Sequence, residues 1–357
     1  MRIVILGLSI TSSWGNGHAT CYRGLVRELS AQGHDVLFLE RDALWYATHR
    51  DLPRPPYGRT ALYNSVDELT DKWAASVRDA DAVIVGSYVP EGIRVGEWVT
   101  QTAQNVTAFY DIDTPVTLAA LERGDCAYLS RPLISKYDVY LSFTGGPLLT
   151  HLVQDWGAKR ARPLYCAFDP ELYFPDADAA KRYDLGYMGT YSPDRQPKVD
   201  AFLMEPAHHL PDTLFAVVGP QYPWDIVWPA NVERIEHLPP FEHRAFYTAQ
   251  RYTLNVTRAD MIRAGYSPSV RLFEAAACAT PIISDWWEGL DTFFEPNREI
   301  LVAQDTDVVL RFLRDLPETE RQAIGERARA KAVAYHTAAR RAEELVGYME
   351  EIRKGNE

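Results

Sequence analysis

The sequence predicts an α/β protein built from two doubly wound parallel-sheet domains. Three observations carry that expectation. The chain has 357 residues, more than one domain commonly needs. Its apolar runs are short and largely uninterrupted, as in strands buried on both faces. Those runs alternate with helical periodicity in two series, separated at 162–182 by a stretch rich in Pro, Asp and aromatics.

In order, RIVILGLSI reads as a first strand, and ATCYRGLVRELSAQG as a helix with Leu25, Val26 and Leu29 on one face, stopped at Gly33. HDVLFLERD is a second strand. A Pro-rich, aromatic connection leads to the helix VDELTDKWAASVRD, and DAVIVGSY, NVTAFYDID and YDVYLSF are three more strands. LLTHLVQDWG supplies a further helix. The second series runs YDLGYMGT, TLFAVVG, VERIEHLP, YTLNVT, SPSVRLFEAAACATPIISD and EILVAQD, and closes on the helical segments ETERQAIGERARAKAVAYH and TAARRAEELVGYMEEIRK. In open α/β sheets ligands bind at the carboxyl ends of the strands, which directs attention to the loops there.

A net charge of −12 argues against a surface built to coat nucleic acid or an anionic membrane. No stretch has the roughly 18 apolar residues of a membrane span, and MRIVILGLSI lacks the length and cleavage pattern of a signal peptide. Cys21, Cys126, Cys166 and Cys278 are scattered, and read as reduced core residues of a cytoplasmic protein, not as a disulfide framework or zinc site.

Against this acidic background, RYTLNVTRADMIRAGYSPSVR holds Arg251, Arg258, Arg263 and Arg271 with the single acid Asp260. It is either a solvated face or a site for a small anion. After the first strand, Gly15-Asn16-Gly17-His18 supplies two of the three glycines of a dinucleotide fingerprint, and Glu40 ends the second strand where a ribose-binding acid would stand. A nicotinamide oxidoreductase is one reading of this loop. A substrate-pocket wall is another, with His18 as a proton-transferring group, or His18 simply opens the helix. Asp111 and Asp113 form a D-x-D at a strand end, a spacing that can hold a divalent metal, but no further ligands accompany it. A pocket-lining or loop-fixing role, with no metal, is the expectation. Gly189 and Thr190 can bring backbone N–H groups to a phosphate, with Arg195 forking onto its oxygens, unless this is an ordinary solvated loop.

The stretch SPSVRLFEAAACATPIISD is the most informative. Ser267 or Ser269 can cap a helix, and Pro268 suits its first position. The helix start then favours an anion, which Arg271 reinforces. Glu274, one turn further in, would repel a phosphate but suits the paired hydroxyls of a ribose. The neighbouring alanines permit close packing on a sheet. The alternative is a surface i,i+3 pair between Arg271 and Glu274.

Taken with WGNGHATCYRGL, AFDPELYFP, YDLGYMG and FAVVG, the stretch GYSPSVRLFEAAACATPIISD resembles the GT-B glycosyltransferases, and specifically the CgeB-like (spore maturation) branch of retaining nucleotide-sugar transferases. The resemblance implies two Rossmann-like domains facing a cleft: an acceptor-binding domain over 1–170, a donor-binding domain over 171–335, and a last helix, 336–357, crossing back to the first. It implies transfer of a sugar from a nucleoside-diphosphate sugar, UDP-linked, to an acceptor hydroxyl, without a metal or other cofactor. The family's donor motif puts its second acid on Glu274 and its diphosphate-binding amides on Ser269 and Val270, whereas its first acid falls on Tyr266. Gly189, Thr190, Arg195, Arg258, Ser267 and Arg271 would complete the donor side. Gly15, Gly17, Tyr88 and Asp111 would line the acceptor side, and His18 or Asp113 would orient or deprotonate the acceptor. A non-catalytic nucleotide- or sugar-binding protein on the same fold is the alternative.

Overall fold

The computed structural model describes residues 1–356, and the chain divides into two compact units. One comprises Met1–Cys166 together with the chain from Ala338 onward, and the other is Ala167–Thr337.

The first unit is built on a seven-stranded sheet. Its strands are β1 (Arg2–Gly7), β2 (Asp35–Arg41), β3 (Arg59–Tyr63), β4 (Ala82–Gly86), β5 (Val106–Asp111), β6 (Val139–Ser142) and β7 (Ala161–Pro163), in the order β3-β2-β1-β4-β5-β6-β7. Every pairing is parallel, with Ile3 opposite both Val36 and Ala82. Residues 82–86 and 106–111 are buried throughout, because helices cover both faces, and this is why these strands read as unbroken apolar runs. The helix His18–Ala31 follows β1, and Gly33 takes a left-handed φ of 84° just beyond it. The helix Val66–Asp79 starts at Ser65, whose side chain accepts from the Glu68 N–H. The last helix, Ala338–Asn356, packs on His18–Ala31, with Gly24 admitting the Ala338 side chain.

The second unit holds a six-stranded parallel sheet in the order β10-β9-β8-β11-β12-β13. These are β8 (Tyr183–Met188), β9 (Phe215–Val218), β10 (Val232–Ile235), β11 (Gln250–Asn255), β12 (Ile282–Ser284) and β13 (Leu301–Val302). In both sheets the strand order reverses beside the first strand, between β1 and β4 and between β8 and β11. Adjacent loops diverge at such a point and leave a crevice.

Several elements depart from the sequence reading. β3 lies inside the connection read as Pro-rich, and β7 consists of three residues in the segment read as a linker. Both are edge strands, and neither is buried throughout, so neither has a clean apolar run. The helices Gly92–Thr102, Thr114–Arg123, Ala259–Ala264 and Thr306–Asp315 also stand in segments not read as helical.

One backbone contact sets the shape of the second unit's crevice. Gly219, directly after β9, has φ 148°, and a Cβ there would lie 2.0 Å from the Gly189 carbonyl oxygen after β8. Gly219→Ala is therefore expected to lower stability by about 1–3 kcal/mol, read as a reduced denaturant midpoint.

Candidate functional site

In the second unit Gly189, Thr190, Arg195, Arg258, Ser269 and Arg271 gather at the carboxyl ends of β8 and β11, whereas Tyr266 and Glu274 face other partners. The helix Val270–Ala277 begins with Ser269 in the N-cap position, so Pro268 lies outside the helix and not at its first position. The Ser269 hydroxyl does not cap the helix but donates to Asn255 Oδ1 at 2.8 Å. The same oxygen accepts from Arg271 Nη1 at 2.9 Å, while Arg271 Nε donates to the Met188 carbonyl. Arg271 is 8% exposed and lies 5.0 Å over the Tyr187 ring. The guanidinium is thus fixed across the carboxyl ends of the paired strands β8 and β11. Asn255 anchors this end of the sheet as well, since its Nδ2 donates to Ser284 Oγ at 3.0 Å and to Thr257 Oγ1 at 3.3 Å.

Arg195 reaches the same place from the loop after β8, donating through Nη2 to the Thr190 carbonyl. Burial, and then the Arg271 and Arg258 charges among its neighbours, push its guanidinium below its ordinary value. Arg258 stands at the N-cap of the helix Ala259–Ala264. The Nε atoms of Arg195 and Arg258 are buried without a hydrogen-bond acceptor among the described residues. Arg195, Arg258 and Arg271 likewise form no ion pair there, unlike Lys198, whose Nζ meets Asp285 at 2.7 Å. Gly189 adjoins them, with a Cβ position 3.0 Å from Arg271 Nη2. Asp194, which accepts from the Ala259 N–H at 2.8 Å, is the carboxylate whose charge Arg195 and Arg258 feel, and three cations against one such acid favour a bound anion. Arg263 instead pairs with Asp260, and Arg251 pairs with Asp184 at 2.8 Å, so neither belongs to this cluster.

Glu274 lies one turn into the helix but does not pair with Arg271. Its carboxylate is 3% exposed, accepts from the Tyr247 hydroxyl at 3.1 Å, and has His243 Nδ1 at 4.0 Å. Burial raises its pKa to about 7, against the opposing pull of the Tyr173 and Tyr247 hydroxyls and of Arg271. Tyr266 has φ 49°, and its N–H donates to the Glu288 carbonyl at 2.6 Å. Its ring lies against Gly289, where a Cβ would fall 2.4 Å from it. Ser267 is buried, while Val270 and Thr190 are partly exposed.

In the first unit, the loops after β1, β4 and β5 bring His18, Tyr88 and Asp113 together. The Tyr88 hydroxyl donates to Asp113 Oδ2 at 3.0 Å, His18 Nε2 lies 3.8 Å from the same oxygen, and the His18 and Tyr88 rings stack with centroids 6.0 Å apart. Tyr88 has a left-handed φ of 64°, a strained conformation for an aromatic residue. Gly15 and Gly17 face open space.

Two acids fix loops, which for Asp111 is one of the two expected roles and for Glu40 replaces the ribose contact of the nicotinamide reading. Asp111 does not line a pocket: it is fully buried, accepting from the Tyr140 hydroxyl, from Thr117 Oγ1 at 2.8 Å and from the Asp113 N–H at 3.2 Å. It supports the turn that carries Asp113, and burial pushes its pKa up to about 6. Glu40 is also fully buried, accepting from Ser9 Oγ, the Ile10 and Thr11 N–H groups and Thr11 Oγ1. It fixes the loop after β1 and has no room for a cofactor ribose. No group of three or more His, Cys, Asp or Glu side chains among the described residues is arranged to hold a metal ion. No helix among the described residues is long and apolar enough to cross a membrane, and the four cysteines are free thiols.

Asn255, Tyr173, His243 and Tyr247 were not singled out by sequence. Asn255 had a usable signal, as a polar residue closing an apolar strand. The other three lie far from Glu274 in sequence and carry no such mark.

With this geometry in hand, comparison with known proteins defines the class of fold first. The chain is similar to sucrose-phosphate synthase from Thermosynechococcus elongatus, with TM-score 0.69, 15% identity, and 99% of each chain covered. It is similar to HepE from Anabaena in complex with UDP and glucose, with TM-score 0.72, 12% identity, and 98% of this chain and 100% of that one covered. An alpha-glucosyltransferase in complex with UDP gives TM-score 0.71 at 12% identity, over 98% of this chain and 100% of that one. The fold is therefore the two-domain, Rossmann-like α/β architecture of the GT-B glycosyltransferases. Residues 195–347 match the family profile described as "Glycosyl transferase-like". No curated protein sequence matches the chain.

The buried carboxylate of Asp111 makes a prediction. Its folded pKa of about 6 exceeds the ordinary 3.8, so its contribution to stability is fully present below the ordinary value and is lost as pH rises through about 6. Denaturant titrations across that window should show a flatter decline for Asp111→Asn than for the unaltered protein.

Proposed function

We propose that this protein is a glycosyltransferase that moves a sugar from a nucleoside-diphosphate sugar, UDP-linked, to an acceptor hydroxyl. The observation that carries the reading is the cluster of Arg195, Arg258 and Arg271, none of which forms an ion pair among the described residues, at the carboxyl ends of β8 and β11. The "Glycosyl transferase-like" match, which includes all three arginines, supports it, as do the UDP complexes of proteins with this fold. The sequence motifs favour the CgeB-like branch, and retention of configuration comes with that branch.

As the anomeric bond breaks, negative charge grows on the departing diphosphate while the sugar becomes oxocarbenium-like. The arginines and the start of the helix Val270–Ala277 stabilise that charge, so the reaction runs without a metal. Glu274 reads the ribose. Its Cα lies about 7.5 Å along the helix from Ser269, at 1.5 Å per residue, a span that suits a ribose beside a diphosphate. Tyr266, in the position of the family's first acid, faces the donor sugar with an aromatic ring and a hydroxyl. In the first unit, Asp113 with His18 accepts the proton of the acceptor hydroxyl, and Tyr88 orients the Asp113 carboxylate.

Two experiments test this. Calorimetry with UDP should give binding that weakens at least about tenfold in Arg195→Ala or Arg271→Ala, the scale of a lost charge-assisted contact. Full affinity in both folded variants would remove the anion site from the reading. Release of UDP from UDP-sugars, in a screen of sugar acceptors, should persist in EDTA. Loss of activity in EDTA, restored by manganese, would refute the metal-free mechanism.

A further inference from the structure

The surroundings of Glu274 assign a task to residues that no motif marks. Tyr247 and His243 lie on one helix, Pro240–Thr248, and Tyr173 comes from the segment leading into β8. The Tyr247 hydroxyl donates to Glu274 Oε2 at 3.1 Å. His243 Nε2–H donates to the Leu238 carbonyl at 3.0 Å, which turns Nδ1 toward the Tyr173 hydroxyl at 3.1 Å and Glu274 Oε2 at 4.0 Å. His243 thus links Tyr173 to the loop after β10, while its Nδ1, 4.0 Å from Glu274 Oε2, stays beyond hydrogen-bond reach of the carboxylate. Arg271 and Cys278 are the charged and titratable groups that face it from its own helix segment.

We infer that Tyr247, with Tyr173 and His243 behind it, positions the Glu274 carboxylate as a reader of the ribose diol, so that the second unit discriminates ribonucleotides from 2′-deoxyribonucleotides. This rests on the donor-site reading above. A buried carboxylate held by the Tyr247 hydroxyl presents its remaining lone pairs in one geometry. A ligand lacking the 2′-hydroxyl leaves one of them without a partner, in a site nearly closed to water. Neutral Glu274 loses most of that preference, because a carboxylic acid is a weaker acceptor than a carboxylate. Its pKa, raised to about 7, puts this loss within reach of experiment.

The test is calorimetric titration of the full chain with UDP and with 2′-deoxy-UDP from about pH 6 to 9. Protonation of the phosphate is common to both ligands and cancels in the ratio of their dissociation constants. The expected ratio favours UDP by about tenfold or more at the alkaline end, and falls as pH drops through about 7. Tyr247→Phe removes a hydroxyl that holds the carboxylate ionised. It should move the midpoint of the ratio to higher pH, with the preference recovering toward the wild-type value at the alkaline end. A wild-type ratio that does not vary with pH overturns the inference, whether or not the variant folds. So does a Tyr247→Phe variant weakened equally at every pH with an unmoved midpoint, since a purely structural role behaves that way. UDP binding with no ribose preference overturns this inference alone, whereas no UDP binding at any pH overturns the donor-site reading with it.

Discussion

A parallel sheet covered on both faces can present chemistry only at the ends of its strands. That constraint organises both units. Each interior is apolar, as in Val83–Val85 of β4 and Phe215–Val218 of β9, and polar groups appear where the strands stop. Asn255 marks the change in the second unit: it is the last residue of β11, fully buried, and bonded to Ser269, Arg271, Thr257 and Ser284. Its hydrogen bonds fasten a helix start and a guanidinium to the sheet.

Buried charge is handled in two distinct ways. Asp111 and Glu40 are carboxylates enclosed by hydroxyl and amide donors, and each fixes a loop. An isolated buried charge is costly, so full hydrogen bonding is the condition for keeping it. Arg195 and Arg258 break that rule, since each keeps a buried Nε without an acceptor. Structural ion pairs satisfy their members, and a cluster of like charges left short of partners is what a site awaiting an anion requires.

Much of the fold was legible. Strands buried on both faces announce themselves as apolar runs, and the amphipathic helix Val66–Asp79 has the bounds its periodicity suggests. The edge strands β3 and β7 were not legible, because a strand paired on one side only need not be apolar throughout. Site legibility followed the same division. Arg271, Glu274 and Ser269 share one short segment, so local chemistry pointed to them. Asp111 was assigned to a pocket wall because its position at a strand end is visible in sequence, whereas the Tyr140 and Thr117 side chains that enclose it are not.

The sequence by itself determined the fold class, two series of buried strands, and a helix start that pairs a cation with a carboxylate. Only the tertiary structure decided that Arg271 and Glu274 part company. Arg271 turns to Met188 and Asn255 and joins Arg195 and Arg258, while Glu274 turns into a cage of Tyr247, Tyr173 and His243. The physical reason is that partners for a buried charge come from strands and helices distant in sequence. Local spacing fixes which groups sit near one another on a helix, and packing fixes what each one faces.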